Sequence, residues 1–249
     1  MGNLLLAEGL HKAFAGFPAL RGATLEVRTG EVVAVIGPNG AGKTTLFHLI
    51  TGVLQPDRGR VVFEGREITR WPAHRRCALG IGRTFQIANI FPRLRVFDNV
   101  HVAVLSRHRK TFHPALPASR FAAREVWAIL EHVGLADKAH HPAGTLSHGD
   151  QRTLEIAIAL AGRPKLLVLD EPTAGMSPEE TEATLRLLAR LNREEGLTVL
   201  FCEHDMEVVF ATAHRIAVMH QGRTVIQGSP EEVRRHPEVQ AAYLGSGDA

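Results

Sequence analysis

Uninterrupted apolar runs alternate with helical patterns along most of this chain. Three runs, Val32–Ile36, 166–169 and Thr198–Cys202, lack the apolar–polar alternation of a half-exposed strand, and this is typical of strands buried on both faces. Apolar residues at helical spacing follow the runs, so we expect helices to cover a largely parallel sheet. The pattern predicts an α/β fold.

Shorter patterns complete this prediction. Residues 4–14, 23–27 and 61–64 have the composition of short strands and are expected to form an antiparallel edge. Between residues 86 and 144 the strand pattern gives way to a helical one that ends at Gly134. We therefore expect a helical subdomain in the middle of the chain.

Length and composition narrow the class of protein. The chain has 249 residues, which fit one composite domain with a substantial core. It has no apolar run of about 18 residues and no basic segment before a long apolar one at the N-terminus, so we expect neither a membrane span nor secretion. Its 2 cysteines indicate a reducing cytosol rather than a disulfide or metal framework. A net charge of +3 falls short of a nucleic-acid signature, so no nucleic-acid partner is expected.

A glycine-rich segment directly after the first buried strand carries the strongest chemical signal. Residues 37–45 read GPNGAGKTT and match the pattern G-x-x-x-x-G-K-[ST]. Its glycines let backbone N–H groups point at phosphate oxygens, Lys43 adds a positive charge, and the Thr44 hydroxyl is a ligand for Mg²⁺. The segment predicts a nucleoside triphosphate site, with a chance glycine-rich turn as the alternative. The expected nucleotide-binding residues are Gly37, Pro38, Asn39, Gly40, Ala41, Gly42, Lys43, Thr44 and Thr45.

Two adjacent carboxylates close the second buried strand. Because side chains alternate along a strand, Asp170 and Glu171 leave in different directions and can do different work. We expect Asp170 to hold Mg²⁺, usually through water, and Glu171 to be the general base that activates water. Taken alone, such a pair favours a helix-capping role. Together with the glycine-rich segment it predicts nucleotide hydrolysis.

A third segment indicates which kind of nucleotidase this is. Residues 146–151 read LSHGDQ, in which Ser147 is a natural N-cap and Asp150 stands where a capping box has its acid. Its position shortly before the carboxylate strand makes the chain resemble the ATP-binding cassette (ABC) family, whose signature begins Leu-Ser-Gly-Gly-Gln. The resemblance implies that Ser147 and Gly149 contact the γ-phosphate of ATP bound by a second cassette. The chain departs from the family at His148 and Asp150, and we expect Asp150 to face outward in the capping role.

The resemblance covers nearly the whole chain and implies further roles. Phe14 matches an aromatic residue that stacks on adenine, with a core residue of the first strand as the alternative. Gln86 matches the glutamine that senses Mg²⁺ and links the ATP core to the helical region. His204 follows the strand Thr198–Cys202 and matches the switch histidine that binds the γ-phosphate and orders the attacking water. The implied cofactors are ATP and Mg²⁺.

The architecture of the family follows from the same resemblance. It implies a P-loop NTPase (RecA-like) core with a mostly parallel sheet, an antiparallel β edge subdomain and an inserted α-helical subdomain. We expect a single ABC ATPase domain over 1–249, with the nucleotide-binding core and β subdomain at approximately 1–86 and 163–249 and the helical signature subdomain at approximately 87–162. Ser177 stands where many cassettes have Asp, and is either a contact across a dimer or, in Ser-Pro-Glu-Glu, a helix cap.

Partners follow from the predicted lack of a membrane span and from a narrower resemblance. Residues 80–104, the LSHGDQ segment and residues 228–245 resemble LivG-type branched-chain amino acid importer ATPases. This implies an ATP-hydrolysing importer subunit on the cytoplasmic face of the inner membrane, working with membrane permease subunits, a second identical or different cassette and, indirectly, a solute-binding protein. His148 also resembles importers of urea and short-chain amides. The alternatives outside transport are a nucleotide-regulated assembly protein and a soluble cassette in nucleic-acid or ribosome maintenance.

Two segments each allow two interpretations. The apolar residues of 87–97 exceed what one short helix can bury, so they form either a groove that docks a membrane subunit or ordinary core. The basic run at 107–110 is either a solvated loop or a contact for lipid headgroups.

Overall fold

The computed structural model describes residues 2–84, 90–108 and 122–240. The strands are β1 (Asn3–Phe14), β2 (Phe17–Arg28), β3 (Val32–Ile36), β4 (Arg58–Phe63), β5 (Arg66–Glu67), β6 (Ile81–Arg83), β7 (Leu166–Asp170), β8 (Thr198–Cys202), β9 (Arg215–His220) and β10 (Arg223–Gly228). The helices are α1 (Lys43–Thr51), α2 (Ala73–Leu79), α3 (Val96–Arg107), α4 (Ala123–Val133), α5 (His148–Leu160), α6 (Pro178–Glu195), α7 (Met206–Thr212), α8 (Pro230–Arg235) and α9 (Pro237–Val239).

A central sheet has the strand order β10-β9-β3-β8-β7-β6. Strands β9, β3, β8, β7 and β6 run parallel to one another, and β10 pairs antiparallel with β9 at one edge. Side chains of β3 alternate between two cores, since Val32, Ala34 and Ile36 belong to one cluster and Val33 and Val35 to the other. The uninterrupted apolar runs therefore reflect burial on both faces, and the predicted α/β fold with a mostly parallel sheet is confirmed.

A second, antiparallel sheet has the order β2-β1-β4-β5. Strands β1 and β2 form a hairpin whose two turn residues, Ala15 and Gly16, both have positive φ, at 46° and 87°. Such a turn matches the right-handed twist of the flanking strands, so β2 begins at Phe17, earlier than the predicted 23–27. The predicted antiparallel edge is present.

Helices occupy most of the described chain between β6 and β7. Val100 of α3, Val126 and Leu130 of α4 and Leu154 of α5 belong to one buried cluster, so these helices share a core. Helix α4 ends at Gly134, where φ is 80°. The division of the chain at about residues 87 and 162 stays a prediction, and 85–89 and 109–121 lie outside the described residues.

A buried arginine hydrogen-bonds carbonyl oxygens at the C-terminal end of α1. Arg76 has no exposed surface, and its Nη1 donates to the carbonyl oxygens of Leu49 and Ile50 at 2.5 and 2.8 Å. Its Nε and Nη2 donate to the carbonyl oxygens of Trp71 and Thr69 at 2.9 and 2.8 Å. Burial lowers the pKa of Arg76 to about 10. Sequence patterns did not single out this cation, which complements the negative end of the α1 dipole.

The described part of the basic run is paired. Arg107 Nη2 lies 2.6 Å from Glu125 Oε1 and His108 Nε2 lies 3.1 Å from Glu125 Oε2. These contacts join the end of α3 to the start of α4 and argue against a freely solvated loop at these two residues. Residues 109 and 110 lie outside the described chain. None of the helices in the described ranges combines the length and apolarity needed to cross a bilayer.

Candidate functional site

The predicted site residues follow the carboxyl ends of parallel strands. The phosphate loop, residues 37–45, follows β3, Glu171 follows β7 and His204 lies just beyond β8. Strands β3, β8 and β7 are neighbours in the sheet, so these three segments meet at one edge, where α/β proteins bind ligands. Gln86, expected beyond β6, lies outside the described residues.

Glycines of the phosphate loop are required by space and by backbone conformation. A Cβ at Gly37 would lie 2.4 Å from the Met219 carbonyl oxygen, and one at Gly42 would lie 2.7 Å from the Ala19 carbonyl oxygen. Gly42 has φ 99° and precedes α1 without supplying a side-chain cap, and the first turn of that helix holds no acid. The N–H groups and positive end of α1 are thus left for an anion. Thr44 is exposed and Thr45 half-buried.

Lys43 folds back over this loop. Its side chain is buried, and Nζ donates to the carbonyl oxygens of Gly37 at 2.6 Å and Pro38 at 3.2 Å. Burial lowers the pKa of Lys43, and the negative charges of Glu171 and Asp170 oppose this. The ammonium group therefore contacts the loop and is influenced by the charges of both carboxylates, and a bound phosphate chain would offer it oxygens in place of the loop carbonyls.

Asp170 is held at the end of β7 by two neighbours. Its carboxylate is 1% exposed, Cys202 Sγ donates to Oδ1 at 2.9 Å, and Arg83 Nη2 lies 3.5 Å from Oδ2. Burial and the adjacent Asp170 charge raise the pKa of the Cys202 thiol, so the thiol stays protonated and can donate. Neither Cys202 nor Arg83 was expected from sequence in this role.

The residues present fit a magnesium ion held together with nucleotide. Asp170 Oδ2 is buried, and its contact among the described residues is the long ion pair with Arg83 at 3.5 Å, so it has capacity to accept a hydrogen bond from a metal-bound water. In the same described part, no three His, Cys, Asp or Glu side chains converge as a metal site of their own. Mg²⁺ suits this arrangement because it keeps several waters and takes one or two protein oxygens plus substrate phosphates.

Glu171 and His204 are already in contact. His204 Nε2 lies 3.0 Å from Glu171 Oε1, and both side chains are partly open to solvent. Glu171 has φ 49°, an uncommon conformation for a residue with a side chain, and its backbone N–H donates to the Cys202 carbonyl oxygen at 3.1 Å. The turn after β7 thus directs the Glu171 carboxylate toward the loop after β8.

Glu203 is a functional candidate that sequence reasoning missed. Its buried carboxylate accepts hydrogen bonds through Oε1 from Thr173 N and Oγ1, at 2.8 and 2.6 Å, and through Oε2 from His204 N at 3.2 Å. It therefore joins the loop that carries Glu171 to the loop that carries His204. The only signal in the sequence is an acid directly after a buried strand and beside the histidine.

The LSHGDQ segment begins α5 as expected, but with different polar contacts. Ser147 Oγ accepts from Asp150 N at 3.2 Å, which confirms the N-cap. The expected capping role of the Asp150 carboxylate is wrong, because that carboxylate binds Lys138 Nζ at 2.5 Å. Ser147 Oγ and Gly149 N both donate to Glu180 Oε1, at 3.0 and 3.2 Å. Glu180 was not predicted to lie at this site.

Two roles were considered for each of Phe14 and Ser177, and the structure bears on both residues. Phe14 is 45% exposed at the end of β1, so it is not a core residue, and adenine stacking stays a prediction. Ser177 is the N-cap of α6, with both halves of a capping box formed by Ser177 and Glu180. The predicted cap is confirmed, and a contact of Ser177 across a dimer stays a prediction.

The family profiles and the individual relatives that match this chain all belong to ATP-binding cassette transporters. The profile described as ABC transporter matches residues 20–174, and the profile described as branched-chain amino acid ATP-binding cassette transporter matches residues 227–249. The chain is 41% identical over 249 residues to the high-affinity branched-chain amino acid transport ATP-binding protein BraF of Pseudomonas aeruginosa, covering 97% of this chain and 98% of the relative. It is 38% identical over 251 residues to the high-affinity branched-chain amino acid transport ATP-binding protein LivG of Escherichia coli, again covering 97% of this chain and 98% of the relative.

Solved structures agree with these relatives. The ADP conformation of MJ1267, an ATP-binding cassette of an ABC transporter, superposes with a TM-score of 0.86 at 31% identity, covering 99% of this chain and 100% of that one. The dimeric post-hydrolysis structure of the cassette MJ0796 with ADP and Pi gives a TM-score of 0.77 at 26% identity, covering 91% and 98%.

Proposed function

The chain belongs to the ABC transporter family of ATPases, and from that premise we propose that it is the ATP-hydrolysing subunit of an importer of branched-chain amino acids. The observation that carries the proposal is the match of residues 227–249 to the branched-chain amino acid cassettes, on a chain whose Lys43, Asp170, Glu171 and His204 gather at one sheet edge. The match supports the substrate class, and the gathered side chains support ATP hydrolysis.

In this proposal, the phosphate loop and Phe14 bind ATP. The phosphates lie over the start of α1, and Lys43 exchanges the carbonyl oxygens of its own loop for phosphate oxygens. Thr44 and Asp170 hold Mg²⁺, which neutralises charge on the phosphates when it is bound. Phe14, exposed at the end of β1, stacks on adenine.

Glu171 is the general base of the reaction. It accepts a proton from a water molecule whose oxygen forms a bond to the γ-phosphorus, while the bond from that phosphorus to the departing ADP oxygen breaks. His204, already 3.0 Å from Glu171, hydrogen-bonds the γ-phosphate and orders this water. Gln86, beyond the described residues, contacts the metal and links the site to the helical region.

The site is completed by a second cassette, identical or different. Ser147 and Gly149 at the start of α5 then donate to the γ-phosphate held by the phosphate loop of the partner. A two-fold arrangement makes both sites equivalent in form. The dimeric relative MJ0796, bound to ADP and Pi, supports this assembly.

Membrane permease subunits dock on the segment next to Gln86, and hold the cassette at the cytoplasmic face of the membrane. Phe91 is 54% exposed and Leu94 is 38% exposed, while Ile90 and Phe97 pack against the core. Ile90 is therefore partly buried rather than fully exposed, and Phe91 and Leu94 are the apolar residues available to a partner. The solute-binding protein acts through the permease and does not touch this chain.

The test is ATP turnover by the chain assembled with permease subunits in lipid vesicles. We expect a leucine-loaded solute-binding protein to stimulate hydrolysis, and Glu171→Gln to lower it by at least about 10²-fold because an amide cannot accept the proton. Glu194→Gln, an exposed carboxylate of α6, is the matched control and keeps full turnover.

Other outcomes would reassign the function. If a urea-loaded or amide-loaded binding protein stimulates hydrolysis and a leucine-loaded one does not, the substrate class would be urea or short-chain amides instead of branched-chain amino acids. Turnover that no permease alters would favour an assembly protein, and near-normal turnover of Glu171→Gln would remove Glu171 from the role of base.

A further inference from the structure

The start of α5 already holds an anion supplied by this chain. Glu180 Oε1 accepts from Ser147 Oγ at 3.0 Å and from Gly149 N at 3.2 Å, and Glu180 Oε2 accepts from Ser177 N at 3.1 Å. A Cβ on Gly149 would lie 2.7 Å from Glu180 Oε1, so the carboxylate fits because that position has no side chain. A negatively charged group thus sits on the two donors that the proposed function assigns to phosphate.

Charge and hydrogen bonding both favour this placement. The pKa of Glu180 is lowered, first by the Ser177 N–H, then by the Ser147 hydroxyl and the Gly149 N–H, with His148 nearby adding to the effect. The positive end of the α5 dipole favours the same ionised form. His148 lies close to Gly175, where an added Cβ would be 3.3 Å from its Nε2. Two of the residues that depart from the family pattern therefore influence Glu180, Ser177 by a hydrogen bond and His148 by its charge.

A second copy of the same capping sequence shows that helix capping does not need these contacts. Residues 229–232 read Ser-Pro-Glu-Glu, like 177–180, and Glu232 forms the same capping box with Ser229 at the start of α8. Among the described residues, the Glu232 carboxylate forms hydrogen bonds only within that box. The bonds from Ser147 and Gly149 to Glu180 are therefore an addition to the cap.

Resting on the proposed function, we propose that Glu180 occupies the γ-phosphate position of α5 in the separated cassette and must leave it before two cassettes close on ATP. Carboxylate and phosphate cannot share the donors, since both are negative and both need the same Ser147 O–H and Gly149 N–H. Only the fraction of molecules with Glu180 displaced is competent, and this raises the ATP concentration that dimerisation requires. Glu180 is thus a positioning residue that makes closure dependent on ATP.

Glu180→Gln is the sharpest change because an amide keeps the shape of the side chain. The carboxylate accepts N–H donors on both oxygens, whereas an amide has one accepting end and one donating end, so it must give up either Ser177 N or the two α5 donors. Gln is also an accepted third residue of a capping box. With either choice the acceptor facing α5 is lost or becomes neutral and weaker, and Ser177 Oγ still accepts from the residue 180 backbone N–H, so the start of α6 stays capped.

The experiment measures ATP-driven dimerisation of the full chain by light scattering in a Glu171→Gln background, which retains ATP. We expect Glu180→Gln to lower the ATP concentration for half-maximal dimerisation by about 10-fold, since neutral hydrogen bonds are roughly half as strong as charge-assisted ones. Binding of ATP to the monomer, followed separately with a fluorescent ATP analogue, stays unchanged because the phosphate loop is intact. Glu232→Gln, the same change in the second capping box, leaves the dimerisation curve where it was.

The outcomes separate this proposal from the proposed function. Failure of the Glu171→Gln parent to dimerise with ATP would overturn both. Dimerisation of the parent with an unchanged or higher ATP requirement in Glu180→Gln would overturn the role of Glu180 alone. An equal shift in Glu232→Gln would assign the effect to helix capping and also overturn it. If Glu180→Gln does not fold, the Glu180→Ala and Glu232→Ala pair makes the same comparison with the same expected order.

Discussion

Replacing Glu203 by Gln should impair hydrolysis more than ATP binding. The buried carboxylate accepts from Thr173 N and Oγ1 on one oxygen and from His204 N on the other. A Gln of the same shape has only one accepting oxygen, so its NH₂ group must face a backbone N–H of either Thr173 or His204. One of the two loops around the Glu171–His204 pair loses its anchor.

The expected magnitude follows from these bonds. Hydrogen bonds to an ionised group contribute about 1.5–3 kcal/mol each, and an unsatisfied buried donor costs about 1–3 kcal/mol. Glu203 is 5% exposed, so water cannot replace the lost acceptor. We expect Glu203→Gln to lower the free energy of unfolding by about 2–4 kcal/mol. Because His204 contacts Glu171 at 3.0 Å, a displaced loop should also lower kcat by about 10-fold or more.

Two measurements test this prediction. Urea unfolding followed by circular dichroism gives the loss of stability, and steady-state hydrolysis with separate ATP titration gives kcat and affinity. ATP affinity should stay within about 2-fold, since Glu203 does not touch the phosphate loop. Glu207→Gln, an exposed acid in the first turn of α7, is the control and should change neither quantity. If Glu203→Gln loses stability but keeps a normal kcat, the role of Glu203 is structural only. If the variant matches the wild type in both stability and kcat, the reasoning is refuted.

Three further predictions concern binding, stability and coupling. Lys43→Ala should weaken ATP affinity by at least about 10-fold in calorimetric titration, because it removes a charge aimed at the phosphates, and unchanged affinity would contradict that role. Arg76→Leu should lower the free energy of unfolding in urea by about 2–5 kcal/mol, because buried carbonyl oxygens lose their donors, while exposed Arg75→Leu should not; equal midpoints would remove the anchor role. Phe91→Glu should abolish transport in reconstituted vesicles and leave hydrolysis by the isolated chain intact, unlike Val53→Glu, which replaces another exposed apolar residue; normal transport by Phe91→Glu would sink the docking proposal.

The strands of the central sheet were predicted well from sequence, because burial of a strand on both faces leaves a continuous apolar run in the sequence itself. The continuous run of β3 reflects a strand whose Val32 and Val33 enter opposite cores, and no distant information is needed to recognise it. The β1–β2 hairpin was harder. Its turn contains Ala15, a residue without a marked turn preference, in a positive-φ conformation, and the strands therefore extend further than composition indicates.

The residues that sequence analysis missed act through contacts between distant segments. Glu180 lies 33 residues from Ser147, and Glu203 lies 30 residues from Thr173. Ser-Pro-Glu-Glu correctly signals a helix cap at both places where it occurs, but it cannot show which copy also reaches another helix. That distinction depends on how α5 and α6 pack, and packing is a property of the folded chain.

The contacts within one chain also suggest where control of the reaction lies. Glu171 and His204 touch, and Asp170 is braced by Cys202 and Arg83, without any partner chain. The groups that the proposed mechanism assigns to water and metal are thus preorganised before a second cassette arrives. The donors that the proposed mechanism offers to a partner cassette are the ones held by Glu180. Under the proposed mechanism, ATP hydrolysis is therefore limited by the closure of two cassettes on ATP and not by the positioning of Glu171. A change at Glu180 should then shift the ATP concentration that gives half-maximal hydrolysis more than it changes the maximal rate.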